Sequence, residues 1–154
     1  MLHVEKSNDA DILASLIKTV HDWHHEHYPE IFKRYSKKRF REYFETCIKD
    51  PNQFHFVAFD NTEPIGFVQG CLRTSKGSPF RYGDRLVYVN IVSVDAKYQR
   101  KGVAKLLMKS VYALAKKRKI KRVEVDHWEG NQKASSFFTK QTFLPLRQYL
   151  FKML

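Results

Sequence analysis

The apolar residues of the first thirty positions predict a strand followed by a helix. Residues Leu2–Lys6 alternate between apolar and polar side chains, which is typical of a half-buried strand. Ser7 or Asn8 is the predicted N-cap of the helix, which runs to about His25 and stops before Pro29. The helix is predicted from apolar residues at helical spacing, namely Ile12, Leu13, Leu16, Ile17 and Val20.

The next segment predicts a second helix, which is followed by two runs of strand-forming residues. Phe54–Phe59 is aromatic and β-branched, Asp60-Asn61 supplies a turn, and Ile65–Leu72 is another such run, so we predict a hairpin. Ser75–Asp84 contains two Gly and one Pro and is a predicted loop. The helix before the hairpin is capped by Ser36, and its apolar stripe comprises Phe40, Tyr43, Phe44, Cys47 and Ile48.

The rest of the chain alternates between strands and helices. Leu86–Val94 predicts a third strand of the central region, and Ile120, Val123 and Val125 predict a short one. Between them lies a helix with Val103, Leu106, Leu107, Val111 and Leu114 on one face. After a helix capped by Asn131, the Leu-rich segment Phe143–Leu154 is predicted to be a final strand. The order β-α-α-β-β-β-α-β-α-β predicts a single α/β or α+β domain over residues 1–154.

Composition restricts the classes of function without choosing one. The chain has 28 Lys and Arg against 16 Asp and Glu, a formal charge of +12, which attracts nucleic acid, anionic membranes or phosphorylated small molecules. The basic residues are dispersed, and a solvated basic surface explains them equally well. No apolar run approaches the about 20 residues of a membrane helix. Cys47 and Cys71 make no disulfide framework, so we expect a cytoplasmic protein.

The segment from Val92 to Ala104 has the features of an anion site. A predicted strand ends, a polar turn carries Arg100 and Lys101, and a helix begins at Gly102. Such a junction directs unpaired backbone N–H groups and the positive end of a helix dipole toward one place. Gly102 removes the side chain where a phosphate would approach the backbone. The spacing is neither a Walker loop nor a Rossmann fingerprint, and structural turns also use glycine at helix starts.

A second segment makes the pattern specific. Its motif residues are spaced three positions apart, namely Asn131, Ala134 and the pair Phe137-Phe138. Together with Gln99-x-x-Gly102-x-Ala104, this segment resembles the GNAT superfamily of N-acetyltransferases, and the resemblance extends over essentially the whole chain. It implies a mixed central sheet that is splayed between the strand ending at Val94 and the strand ending near His127.

The resemblance also implies where acetyl-CoA would bind, with no metal involved. The pyrophosphate would take backbone N–H groups of the turn, and the pantetheine arm would pair with exposed strand backbone like an added strand. Asn131 would reach the same arm, although it is also a plain helix cap. The implied cofactor-binding residues are Val92, Ser93, Val94, Gln99, Arg100, Lys101, Gly102, Val103, Ala104, Asn131 and Phe138.

The sequence differs from the family pattern at the positions of the general base and the general acid. Where many members carry a carboxylate base, this sequence has Asn90, and where the usual general acid is Tyr, it has Phe138. A thiol leaves as thiolate without great strain near neutral pH, so the loss of the acid weakens catalysis without abolishing it. His127 is the candidate base, and packing is the alternative role for its ring.

The histidines of the first helix have three alternative roles. His21 and His25 have the i, i+4 spacing of a metal pair, but no Cys is near them. Histidines near a helix C-terminus also interact with the dipole. The pattern His24-x-x-His27-x-Pro29 is similar to the acceptor-side helical insertion of many bacterial members, which implies that it lines the acceptor pocket.

Three functions follow from these observations. The leading hypothesis is an acetyl-CoA-dependent N-acetyltransferase that acts on an amine of a small molecule, peptide or protein by direct transfer in a ternary complex. The alternative is a non-catalytic sensor or regulator that binds acetyl-CoA, as Asn90 and Phe138 suggest. A nucleic-acid-binding module rests on the charge alone and is disfavoured. We expect no membrane partner, and a homodimer stays open.

Overall fold

A five-stranded mixed sheet in the order β1-β2-β3-β4-β5 organises the computed structural model, which describes residues 1–154. All neighbouring strands are antiparallel except β4 and β5, which run parallel. The strands are β1 (Leu2–Lys6), β2 (Gln53–Asp60), β3 (Glu63–Ser75), β4 (Asp84–Val94) and β5 (Val123–Val125). The helices are α1 (Ala10–Leu16), α2 (Lys18–His27), α3 (Lys37–Cys47), α4 (Val103–Lys117) and α5 (Gln132–Lys140).

Each face of the sheet has its own buried cluster. On one face, the apolar side of α4 contributes Leu107, Met108 and Val111, which pack with Val87 and Val89 of β4. On the other face, α1 and α3 pack over residues such as Val57 and Phe67. Both faces of the central strands are therefore covered, which explains the nearly continuous burial of β2 and β3. The predicted α/β layer class is confirmed.

The first predicted helix is two helices in the structure. The chain is interrupted at Ile17, where the Leu16 carbonyl accepts a 2.6 Å hydrogen bond from the buried Ser93 hydroxyl of β4. A side chain that enters the carbonyl ladder is a known cause of a helix break. The predicted N-cap, Ser7 or Asn8, is also wrong, because Asp9 is the cap and accepts from the amides of Asp11 and Ile12.

The predicted hairpin is confirmed, and its turn contains Asn61 in the left-handed region, with φ of 54°. Ser36 caps α3 as predicted, through a 3.4 Å contact with the amide of Arg39. The predicted final strand Phe143–Leu154 is wrong for the single chain, since the segment forms no regular structure and pairs with no strand. Its apolar sequence favours an extended conformation, but a strand also needs hydrogen bonds to a neighbouring strand, and from residue 144 onward the backbone makes none.

None of the helices has the length and apolar character needed to cross a membrane. Cys47 is buried and Cys71 is partly buried, and both are free thiols.

Candidate active site

A cleft opens where β4 extends beyond the end of β5. The parallel pairing covers only Val87–Val123, Tyr88–Glu124 and Val89–Val125. Beyond Val89, β4 continues to Val94 with β3 on one side and no strand on the other. We call the open side of residues 90–94 the cleft. It is the place where the resemblance implies a splayed sheet.

A β-bulge at Asn90 marks the start of the cleft. Gln69 is opposite Ile91 and Gly70 is opposite Val89, so Asn90 is the extra residue on β4. A bulge bends its strand and re-aims the neighbouring side chains. Asn90 is exposed, so its amide is accessible to a ligand in the cleft, but an amide cannot accept a full proton as a carboxylate does.

The turn after β4 has a run of unpaired backbone donors. Asp95 holds a short 3-10 turn (Ala96–Tyr98) by accepting from the amide of Lys97 at 2.9 Å. None of the backbone N–H groups of residues 99–105 donates a hydrogen bond within the protein, and the first bond of α4 runs from Leu106 to the Gly102 carbonyl. These unpaired donors lie at the N-terminus of α4, where the helix dipole is positive, and both features suit an anion.

Two residues of this turn have left-handed backbone conformations. Arg100 has φ of 61° and Gly102, the N-cap of α4, has φ of 83°. A Cβ at Gly102 would meet no protein atom within 4 Å. The glycine is therefore needed for its backbone conformation, and the space above it is open to a ligand. Alternating conformations of this kind form a concave nest of amides for anions.

Basic side chains surround the turn. Arg100 and Lys101 are exposed, and the Lys101 ammonium lies 5.2 Å from the centre of the Tyr98 ring. Gln99 connects three elements, because its amide donates to the Val94 carbonyl at 3.3 Å and accepts from Lys133 of α5 at 3.4 Å. Lys133 was not identified as a site residue from the sequence, and only its proximity to Asn131 could have suggested it.

The other predicted cofactor residues have side chains committed to the core. Three of them are buried, namely Ser93, Val94 and Val103. Two are partly buried against the cluster beneath α4 (the α4 cluster), namely Val92 and Ala104. A ligand could therefore contact these residues only through their backbone or the exposed part of a side chain. Phe138 is 7% exposed and lies between the rings of Phe137 and Phe143, at 5.2 and 5.4 Å. It therefore offers a ligand little surface.

Asn131 has the capping role that was one of its two predicted functions. Its Oδ1 accepts from the amide of Ala134 at 3.0 Å at the start of α5. Its Nδ2 donates to no protein acceptor. The same side chain can thus cap the helix and offer a donor to a ligand.

Two titratable side chains follow β5 at the edge of the cleft. His127 is exposed, and its Nδ1 lies 3.2 Å from the Trp128 carbonyl. Asp126 accepts a hydrogen bond from the Tyr88 hydroxyl of β4. Burial, aided by this bond, raises the pKa of Tyr88 to about 12. The sequence did not identify the Tyr88–Asp126 pair, because its residues lie on different strands.

An aromatic wall lies where α2 and the segment after it meet the segment after β5. We define it as Trp23, His24, Tyr28, Phe32 and Trp128. The Trp128 ring lies 4.7 Å from Tyr28 and 4.9 Å from Phe32, and His24 stacks on Phe32 at 4.7 Å. The Tyr28 hydroxyl donates to the Glu129 carbonyl, so the wall joins the segment after α2 to the segment after β5.

Burial keeps one histidine of the wall neutral. It lowers the pKa of His24 to about 4, and the nearby His21 and His27 act in the same direction. His24 is therefore uncharged at neutral pH, and its ring stacks on Phe32.

Two further histidines of α2, His21 and His25, hold the segment after this helix in place. A ring nitrogen of His21 lies 2.7 Å from the Lys33 carbonyl, and one of His25 lies 2.7 Å from the Phe32 carbonyl. No three His, Cys, Asp or Glu side chains are grouped as a metal site. The i, i+4 pair is thus used for loop attachment.

Comparison with known proteins agrees with this geometry. The sequence matches the profile of the acetyltransferase (GNAT) family over residues 17–143. A search of curated protein sequences finds no match.

The fold is shared with several solved structures at low sequence identity. A tetramutant of the BH1408 protein from Bacillus halodurans is 18% identical, with 99% of each chain covered and a TM-score of 0.92. The aminoglycoside N-acetyltransferase AAC(6')-Iy in complex with CoA is 14% identical, with 100% of this chain and 95% of that chain covered and a TM-score of 0.73. A ribosomal-protein-alanine N-acetyltransferase from Brucella melitensis biovar Abortus 2308 is 16% identical, with 99% of each chain covered and a TM-score of 0.73. Because the family profile spans most of the sequence and the fold is the same, this chain belongs to the GNAT family of N-acetyltransferases.

Proposed function

We propose that this protein transfers the acetyl group of acetyl-CoA directly to an amine bound beside it in a ternary complex. The observation that carries the proposal is the run of unpaired amides at residues 99–105 around the left-handed Gly102. Such donors at a helix N-terminus suit a diphosphate, and Arg100, Lys101 and Lys133 add positive charge to the same site. One of the solved structures with this fold was determined with CoA.

The open side of β4 supports the placement of the rest of acetyl-CoA. Residues Asn90–Val94 present a strand edge without a partner strand, and an extended pantetheine arm can add to such an edge through its amides. The Asn131 Nδ2 group would donate to the arm from the other side of the cleft. The thioester would then lie near the bulge at Asn90, where backbone N–H groups can stabilise an oxyanion.

The reaction forms one bond and breaks another. The amine nitrogen attacks the thioester carbonyl, a C–N bond forms, and the C–S bond breaks to release CoA as a thiolate or thiol. The amine must lose protons on the way, and His127 and Asp126 are the titratable groups that the end of β5 brings to the cleft. Because Phe138 has no proton to donate, CoA would leave as a thiolate and take its proton from solvent.

The acceptor amine would approach from the aromatic wall. Its rings and the neutral His24 suit an amine carried on a partly apolar small molecule or peptide, since cations are attracted to aromatic faces. Proteins of this fold include acetyltransferases for aminoglycosides and for a ribosomal protein, so both acceptor classes are compatible with the architecture.

Calorimetry with acetyl-CoA and two matched glycine variants tests the cofactor site. Gly102→Ala and Gly130→Ala have φ of 83° and 80°, and at both positions a Cβ meets open space. Both changes carry the same backbone cost of about 1–2 kcal/mol. Only Gly102→Ala places a methyl group among the unpaired amides, so we expect it to weaken acetyl-CoA binding and Gly130→Ala to leave binding nearly unchanged. Equal affinity of all three proteins, or no heat from the wild type, would overturn the proposal.

Release of free thiol across a panel of amines tests the chemical step. We expect turnover with at least one amine and a lower rate for His127→Gln at saturating acetyl-CoA. A rate unchanged in His127→Gln would remove His127 as the base and leave Asp126.

A second function is favoured by one observation, the absence of proton-transferring side chains at Asn90 and Phe138. A sensor would bind acetyl-CoA with the same Gly102 dependence and release no thiol with any amine, peptide or protein. The two functions therefore differ in the thiol assay and agree in the calorimetry.

A further inference from the structure

Two segments that are far apart in the sequence carry most of the net charge. Residues 73–85 and 116–122 contain ten cations and one anion, so they account for nine of the twelve net positive charges. The cations are Arg73, Lys76, Arg81, Arg85, Lys116, Lys117, Arg118, Lys119, Lys121 and Arg122. All ten are exposed, and of these only Arg122 forms an ion pair, with Asp84 and Glu124. Nine exposed cations therefore have no carboxylate partner.

The first of these segments forms an arm of two strands. The pairing of β2 with β3 ends at Cys71, and that of β4 with β5 begins at Val87. Residues 73–86, which we call the arm, therefore pair only with one another. At the tip, Ser78 and Arg81 exchange two backbone hydrogen bonds, at 2.8 and 3.2 Å. The tip is thus a closed turn with a defined conformation.

The second segment contacts the base of the arm. The Val87 amide donates to the Arg122 carbonyl at 3.0 Å, and the Arg122 guanidinium lies 3.5 Å from the Asp84 carboxylate. Residues 73–86 and 116–122 therefore share one end of the molecule, which we call the basic end. It lies at the C-terminus of α4, whereas the turn at Gly102 lies at the N-terminus of that helix. The helix dipole explains cations in the last turn of α4 but not those of the arm.

Two aromatic rings extend from the arm into solvent. Phe80 and Tyr82 are 95% and 98% exposed, and Arg81 lies between them in the sequence. Neither ring contributes to the buried clusters of the fold. Two exposed rings among exposed cations indicate a surface that binds a partner.

A depression in the basic end combines apolar and cationic residues. Its volume is about 420 Å³, which is within the range of small-ligand sites. The Tyr112 hydroxyl in its lining has no hydrogen-bond partner, so a polar group is left free there. The other lining residues are Ala115, Lys116, Lys119, Ile120, Lys121 and Val123. Such a lining suits a flat ring that is attached to an anionic chain.

A single-stranded nucleic acid matches both the cations and the rings. Its phosphates bind cations, and its unpaired bases stack on exposed aromatic side chains. A duplex or inorganic polyphosphate would use the cations but not the rings, because neither presents a free base. A membrane-binding tip would carry aliphatic residues beside its rings, whereas residues 76–83 contain no Leu, Ile, Val or Met.

We infer that the basic end binds a single-stranded nucleic acid. Bases stack on Phe80 and Tyr82, and phosphates contact cations of both segments. The sequence disfavoured such a partner because dispersed charge was its only support. The folded chain brings two basic segments together and adds the exposed rings. This binding would be additional to acetyl transfer, because the turn at Gly102 lies at the other end of α4.

Fluorescence anisotropy with a labelled strand of about twelve nucleotides tests the inference on the full chain. Oligouridylate and oligothymidylate of equal length distinguish RNA from DNA, and binding of either strand supports the inference. Inorganic polyphosphate of equal charge should compete more weakly than the unlabelled strand, because it lacks bases. The logarithm of the association constant should fall linearly with the logarithm of the salt concentration, by about 0.7 for each phosphate contact.

Two pairs of substitutions in the arm test the role of the rings. Phe80→Leu/Tyr82→Leu keeps apolar side chains but removes the aromatic faces, and it should weaken binding of the strand about thirtyfold or more. Phe80→Tyr/Tyr82→Phe is the matched control, since it keeps both faces, and it should bind like the wild type. Because both side chains are exposed, all three proteins should have the same circular dichroism spectrum.

Three further pairs test whether both basic segments contact the strand. Arg81→Ala/Arg85→Ala and Lys116→Ala/Lys121→Ala should each lower the salt slope by about 1.4, which is the effect of two lost phosphate contacts. Lys37→Ala/Lys38→Ala removes the same charge from the exposed start of α3, outside the basic end, and should leave the slope unchanged.

Four results would overturn the inference. They are no binding of either strand at about 0.1 M salt, wild-type affinity in Phe80→Leu/Tyr82→Leu, equal salt slopes in the three charge variants, and a preference for duplex, polyphosphate or phosphatidylserine vesicles over the single strand. None of these outcomes bears on acetyl-CoA binding, so this test is separate from that of the proposed function.

Discussion

His55 and Gln69 are two buried polar residues that face each other on neighbouring strands. They are register partners of β2 and β3, and they are 1% and 0% exposed. The Nε2 of His55 and the Oε1 of Gln69 have no hydrogen-bond partner, although the Gln69 amide donates to Gln53 at 2.8 Å. Burial, with a smaller effect of Lys6, lowers the pKa of His55 to about 4. The folded protein therefore holds this imidazole in its neutral form.

This residue makes stability depend on pH. The pKa of His55 is 6.5 in the unfolded chain and about 4 in the folded one, so its contribution is complete above pH 6.5 and is lost as the pH falls toward 4. At pH 5 the loss from this one group should be about 2 kcal/mol, at about 1.4 kcal/mol per pH unit.

Urea unfolding at several pH values checks this prediction. The free energy of unfolding of the wild type should fall more steeply below pH 6.5 than that of His55→Leu. His24, whose pKa is also lowered, contributes equally to both proteins and cancels in the difference. If the free energy of unfolding falls equally with pH in the two proteins, His55 does not titrate as described.

Asn131 shows how one residue can serve a helix and a ligand at once. The side chain caps α5 through its carbonyl oxygen, which leaves the amide donor for the cleft. At the scale of elements, α5 connects to the turn before α4 through the contact between Lys133 and Gln99.

Substitution separates the two roles of Asn131. Asn131→Ala removes the cap and should cost about 1 kcal/mol of stability. Asn131→Ser retains a capping oxygen and should keep wild-type stability. If the amide donor contacts acetyl-CoA, calorimetry should give weaker binding for both variants. Wild-type affinity in Asn131→Ser would identify Asn131 as a cap without a binding role.

The helices and strands could be predicted from the sequence wherever a local pattern determines them. The β2–β3 hairpin follows from two apolar runs separated by a turn, and α3 and α4 follow from apolar stripes with a cap or glycine at the start. The break between α1 and α2 was not predictable, because its cause is the hydroxyl of Ser93, seventy-seven residues away. The absence of a strand at Phe143–Leu154 was not predictable either, because pairing needs hydrogen bonds to another strand and these are not determined by the sequence of the segment alone.

At the scale of the molecule, the charge of +12 is a property of the whole surface, and its effect on binding depends on where the charges lie. Arg100 and Lys101 lie beside the unpaired amides, whereas Lys117 and Arg118 lie at the opposite end of α4. The two pairs contribute equally to the net charge but differ in their distance from the candidate diphosphate site.

Two double variants separate local from overall electrostatics. Arg100→Glu/Lys101→Glu and Lys117→Glu/Arg118→Glu each lower the formal charge from +12 to +8, because each change replaces a cation by an anion. A charge pair at about 4 Å in water is worth about 1 kcal/mol, so the first variant should weaken acetyl-CoA binding about tenfold or more.

Calorimetry at low and high salt measures the effect. The second variant should bind acetyl-CoA with the affinity of the wild type. Added salt should reduce the difference in affinity between the two variants, because it screens the charges. Equal weakening in both variants would mean that the overall field, and not the turn before α4, attracts the ligand.

The sequence by itself determined the layer class, most helices and strands and the family, because these depend on local periodicity, caps and short motifs. It also located the turn at Gly102, where a change from strand to helix is visible in consecutive residues. Only the tertiary structure decided which groups share the cleft: the end of the β4–β5 pairing, the Tyr88–Asp126 pair, the Lys133–Gln99 contact and the aromatic wall. The physical reason is that these arrangements join residues from separate elements, and their positions follow from how the sheet and helices pack rather than from any nearby pattern.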